Sequence, residues 1–154
     1  LAGKVEDMIN TVVRQIAFYD FECKLHAARR KGELTPDDIN ALWMSVQDES
    51  LGPEFEFMDG YETFWAYIPH FIHSPFYVYA YAFGDGLVNA LYAVYADGLP
   101  GFEDKYFEML KAGGSKHHKD LLAPFGLDAS DPKFWDRGLS MIAGFIDELE
   151  AMEG

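Results

Sequence analysis

YETFWAYIPHFIHSPFYVYAYAF, residues 61–83, decides the fold class. Ten of its 23 residues are aromatic, two are histidine and two are proline. Phe76 to Tyr81 is the one β-rich run of the chain, built from the aromatic and β-branched types that strands favour. The two residues before it point the other way. Ser74-Pro75 has the form of an N-cap followed by proline at the first helical position, where the missing N–H costs nothing. The run is therefore read as the start of a helix reaching Ala96 or Asp97, with Gly98 as its stop. Gly84 and Gly86 lie inside it, each about 1 kcal/mol worse than alanine in a helix interior, so close packing or a kink is expected there. Pro69, His70, His73 and Pro75 at the centre of the stretch argue against a membrane span.

The flanking sequence is helical on both sides. Val5, Met8, Ile9, Val12, Ile16, Tyr19, Cys23 and Ala27 recur at three- and four-residue steps, predicting a helix from about Val5 to Arg30 that Gly32 ends. Thr35-Pro36-Asp37-Asp38 opens a second helix, with Thr35 as N-cap, two acidic residues at the positive end of the dipole, and Gly52-Pro53 as terminator. Ile39, Leu42, Trp43 and Val46 are its buried face. Glu62 to Ile68 is a short helical or irregular piece leading into Pro69. Phe102 to Ala112 and Ser115 to Leu122 are short helices closed by Gly113-Gly114 and by Pro124 and Gly126. Asp131-Pro132 starts the last helix, whose seam is Trp135, Leu139, Ile142, Ile146 and Leu149. Glu148, Glu150 and Glu153 read as a solvated terminal face. With no sustained period-two alternation, the expected class is all-α, a bundle-like unit spanning 1–154 without an internal boundary.

Composition limits the partners. The chain has 154 residues, 49% hydrophobic, and a net charge of −14 from 26 acidic and 12 basic side chains. That balance argues against nucleic acid, whose phosphates need clustered Lys and Arg, and disfavours an anionic membrane surface. The single cysteine, Cys23, cannot form a disulfide within the chain and fits a reducing compartment, most simply the cytoplasm. The chain begins at Leu1 with a helical pattern already under way by Val5, so a fragment of a longer protein is expected.

The chemistry of 61–83 lies in its hydroxyls. A buried Tyr OH needs a partner, and leaving one unpaired costs roughly 1–3 kcal/mol. Tyr67, Tyr77, Tyr79 and Tyr81 beside His70 and His73 therefore suggest a half-wet cleft with apolar walls and convergent polar tips.

IPHFIHSPFYVYAYAFGDG at 68–86 closely resembles the C-terminal part of oligoendopeptidase F, of the thimet-oligopeptidase-like zinc metallopeptidases. TVVRQIAFYDFECKLH at 11–26, GELTPDDINALW at 32–43, YFEMLKAGGSKHHKDLLAPFGLD at 106–128 and the stretch ending in IDELE at 146–150 resemble that family in the same order. The resemblance implies part of a larger, mainly helical catalytic domain. Members carry zinc on an H-E-x-x-H helix; this sequence has no such motif, so the zinc of the parent enzyme would be held outside this chain. What the resemblance implies for this chain is the opposite wall of the peptide cleft, with oligopeptides as substrate and the remainder of the peptidase as partner. Carried over, the catalytic His is His70 and the Tyr residues are Tyr77 and Tyr81, spaced i, i+4 on one helical face. His73 and Tyr79 are assigned to substrate binding, although Tyr79 falls off that face. Alone, the piece would be inactive and would expose apolar surface through which it could dimerise.

Plainer readings stand beside these. His70 could cap the helix interrupted near Pro69, and the tyrosines could be packing residues with surface hydroxyls. Glu22 and His26 are i, i+4, which reads as a side-chain pair on a helix face in preference to a metal site. His117 and His118, adjacent on a helix, would point about 100° apart and share no ion. A stand-alone helical module binding a peptide or small ligand is the alternative function, and a scaffold domain without a site is a further one.

Overall fold

The structure, a computed structural model, describes residues 1–153, the side chain of Glu153 excepted. Among these residues every regular element is helical, as the all-α reading expects. Seven α-helices run Ala2–Arg29 (α1), Pro36–Leu51 (α2), His70–His73 (α3), Tyr79–Ala96 (α4), Phe102–Ala112 (α5), His118–Leu122 (α6) and Pro132–Glu153 (α7). A 3-10 helix, Tyr61–Tyr67, precedes α3, and short 3-10 turns flank α6. No helix among them is long and apolar enough to cross a membrane.

Most helix ends follow the local signals. Thr35 and Asp38 form a reciprocal capping box on α2: the Thr35 hydroxyl accepts the Asp38 N–H at 3.2 Å, and the Asp38 carboxylate accepts the Thr35 N–H at 2.8 Å. Asp131 caps α7 by accepting the Lys133 N–H at 3.0 Å. The Thr35 hydroxyl and then its N–H hold the Asp38 carboxyl below its ordinary range. A lowered carboxyl pKa means a contribution present above the ordinary value of 3.8 and lost as pH falls through the lowered one. Thr35→Ala is expected to cost about 1 kcal/mol by denaturant titration at neutral pH. That cost should shrink in acid; a cost unchanged at low pH would mean the carboxylate takes no part.

The chain comprises two compact units: Glu6–Phe83, and Leu1–Val5 with the residues from Gly84 onward. Both boundaries fall inside continuous helices, α1 and α4, so no linker composition marks them. The first unit is organised around Trp43, with Ala17, Phe18, Phe21, Val46, Ile68 and Val78. The predicted apolar seam of α1 is rotated in its second half. Ile16 and Tyr19 are exposed, and Ala17, Phe18, Phe21 and Glu22 turn inward, because the rings of Phe18 and Phe21 both pack against the Trp43 indole.

The segment 61–67 is where the aromatic content goes. In a 3-10 helix side chains at i and i+3 eclipse. Tyr61, Phe64 and Tyr67 accordingly stack, with centroids 5.5 and 5.2 Å apart, and Phe57 extends the column at 4.9 Å from Tyr61. The Tyr61 hydroxyl donates to Gln47 Oε1 at 3.1 Å.

The second unit has its own core of Ala90, Leu91, Val94, Leu122, Phe125, Leu127 and Phe134. Gly86 does not break α4; it admits another helix. A Cβ there would lie 3.0 Å from the Trp135 ring, and one at Gly138 would lie 3.1 Å from the Gly86 carbonyl oxygen. The buried line of α7 is Phe134, Gly138 and Ile142, so the expected seam member Leu139 is exposed. Glu148 and Glu150 are exposed as predicted; the side chain of Glu153 lies outside the described ones.

Candidate active site

Ser74-Pro75 does not start a helix. The Ser74 N–H donates to His70 O at 2.9 Å and closes α3; Pro75 and Phe76 form a turn, and α4 begins only at Tyr79. Phe76 has φ 60°, the one positive value at a non-glycine among the described residues. A bulky side chain in that region is strained unless its surroundings hold it there.

What holds it comes from α1. The Glu22 carboxylate accepts the Phe76 N–H on Oε1 at 2.9 Å. The Phe76 ring meets Tyr19 edge-on, centroids 6.1 Å apart, and lies 4.8 Å from the His26 ring. Glu22, which the sequence pairs with His26 on one helix face, is fully buried, with a relative exposure of 0%. Burial pushes its carboxyl above the ordinary carboxylate range, while the Phe76 N–H, His26 and His70 pull it back. Its position could be inferred from the pattern: Glu22 stands four residues after Phe18 and three before Leu25, on the inward face of α1.

Three of the predicted residues meet beyond this turn. His70 Nε2 and the Tyr81 hydroxyl are 3.1 Å apart, and Tyr77 packs edge-on against Tyr81 at 5.7 Å. Tyr77 reaches Tyr81 from the turn before α4, not from the helical face that its spacing suggests. His70 is the first residue of α3 and makes no side-chain cap there, so the plain reading of it as a helix cap finds no support. Tyr77 and Tyr81 are 52% and 41% exposed, leaving both phenols open to solvent.

The other predicted members go elsewhere. Tyr79 turns to Tyr19, centroids 5.6 Å apart. His73 is exposed at the end of α3. Tyr67 belongs to the aromatic column. The expected hollow of six converging polar tips is therefore a cluster of three. His117 and His118 also differ from expectation: His117 is the N-cap of α6, outside the helix, and the two rings come within 4.1 Å. Among the described residues no three His, Cys, Asp or Glu side chains group as a metal site requires.

The sequence pattern of peptidase family M3 matches residues 1–141. The chain is 31% identical over 150 residues to oligopeptidase PepF of Bacillus subtilis, covering 96% of this chain and 22% of that protein. It is 32% identical over 143 residues to the plasmid oligoendopeptidase F of Lactococcus lactis subsp. cremoris, covering 92% of this chain and 24% of that protein. A crystal structure from Chlamydophila abortus, provisionally described as a peptidase, superposes with a TM-score of 0.82 at 29% identity, over 94% of this chain and 24% of that one. The chain thus spans about a quarter of the length of the proteins it matches. A pattern match over nearly the whole chain, with the helical architecture held in a solved relative, establishes that the chain belongs to peptidase family M3.

Proposed function

We propose that this chain is the helical C-terminal part of an oligoendopeptidase-F-like zinc metallopeptidase that cleaves peptide bonds in oligopeptides, and that it supplies hydrogen-bond donors to the bond being cut. The observation that carries this reading is the 3.1 Å contact between His70 Nε2 and the Tyr81 hydroxyl, with Tyr77 packed beside it, in a chain of family M3. The reading fixes the proton. With hydrogen on Nε2, His70 donates to the Tyr81 oxygen and leaves the phenolic hydrogen free to point at a peptide carbonyl oxygen. Polarised by that bond, Tyr81 donates more strongly as negative charge grows on the oxygen. Tyr77 holds the Tyr81 ring edge-on, and its own exposed hydroxyl serves the neighbouring substrate backbone. His73 and Tyr79 flank the bound peptide further out.

Zinc does not fit these residues. A catalytic centre takes three protein ligands, and the described His, Cys, Asp and Glu side chains form no such group. Its ligands belong to the rest of the parent protein, which lies in a reducing compartment, the cytoplasm. That remainder also covers the apolar groove of about 300 Å³ lined by Val88, Leu91, Tyr92, Tyr95, Phe102 and Tyr106.

The test compares the parent protein with residues 1–154 alone, by metal analysis and by cleavage of oligopeptides of mixed length. The parent is expected to bind stoichiometric zinc and cleave; the chain alone is expected to do neither. Zinc-dependent turnover by 1–154, or a parent without peptidase activity, would refute the reading.

A further inference from the structure

Glu22 is poorly explained by stability. It is a carboxylate without exposed surface on the inward face of α1, and its Oε2 has no hydrogen-bond partner among the described residues. Burying a charge with one oxygen unpaired destabilises a fold, and an apolar side chain of similar volume fills such a space at lower cost. What the carboxylate does accomplish is local. It accepts the N–H of Phe76, the one non-glycine residue held at positive φ among the described residues. Tyr19 and His26, from the same stretch of α1, close on the Phe76 ring from two sides. Phe76 lies between α3, which begins with His70, and α4, which carries Tyr81; Tyr77 is the next residue.

We propose that Glu22 is a positioning residue for the His70, Tyr77 and Tyr81 cluster: it pins the Phe76 turn in its left-handed form and so fixes where the two phenols stand relative to the imidazole. This rests on reading that cluster as facing substrate. The helix α1 supplies a clamp of three parts, a carboxylate on the backbone and two rings on the side chain. Released from it, Phe76 returns to an ordinary conformation, and the backbone leading into Tyr77 and α4 changes direction. The pull of His70 on the Glu22 carboxyl agrees with the two lying on the same side of the turn.

The experiment uses the whole peptidase. Glu22→Leu removes both the acceptor and the buried charge; Glu22→Gln keeps an amide oxygen for the Phe76 N–H. Glu22→Leu is expected to melt at or above the wild-type temperature. Its turnover is expected to fall about 100-fold, as small misplacements of reacting groups do, with KM little changed. Hydrogen exchange at the amides of residues 76–78 is expected to quicken in Glu22→Leu and stay slow in Glu22→Gln, which recovers most of the turnover. The proposal falls if Glu22→Leu unfolds or loses stability in step with activity, if it keeps full turnover, or if exchange at 76–78 is unmoved. Tyr81→Phe in the same assay separates the two readings. If that variant is silent, the substrate-facing role of the cluster is lost, while exchange at Phe76 still decides whether Glu22 holds the turn.

Discussion

Replacing Tyr81 by Phe in the parent peptidase is expected to lower turnover by about 10²–10³, the usual cost of removing one donor to a developing oxyanion. The substitution deletes one oxygen and keeps the ring, so the edge-on contact with Tyr77 at 5.7 Å survives. Tyr81 is 41% exposed, so its hydroxyl is not needed to satisfy a buried group, and stability should hardly move. KM should change little, because the bond strengthens only as charge moves onto the carbonyl oxygen. Zinc content should be unchanged. Steady-state kinetics beside metal analysis checks all three, and an unaffected rate removes Tyr81 from the mechanism.

Trp43→Ala is expected to bring the largest loss of stability, at the upper end of the roughly 3–5 kcal/mol typical of a buried large aromatic. Trp43 is fully buried, and its indole meets Phe18, Phe21, Tyr61 and Phe71 at centroid distances of 5.5, 5.2, 5.9 and 6.4 Å. Its Nε1–H also donates to the Tyr61 carbonyl at 3.0 Å, so truncation opens a cavity and orphans an acceptor together. Against a total of about 5–15 kcal/mol, that threatens folding itself. Denaturant midpoints at constant slope measure it; a loss below about 1 kcal/mol would show that the site collapses to fill the space.

The helices were largely readable because their ends are written in adjacent residues. Thr35, Pro36 and Asp38 cap α2, Gly98 and Gly113 stop α4 and α5 at positive φ, and Asp131 caps α7. The Ser74-Pro75 start failed for the opposite reason. The turn's backbone N–H is accepted by Glu22, 54 residues away in sequence, and no local rule weighs such a partner. The inward rotation of α1 at Phe18 and Phe21 was set by Trp43 on another helix. Of the site, the meeting of His70, Tyr77 and Tyr81 was legible in the sequence but its geometry was not, because Tyr77 stands outside the helix whose periodicity suggested the pairing.

The stacked rings of 61–67 follow a period of three, so a single inserted residue would swing everything after it by roughly 120°. Ring can replace ring in that column, but its length is closed to change. Changes in chain length are therefore absorbed most easily between the end of α2 and Phe57, since Phe57 itself stacks on Tyr61.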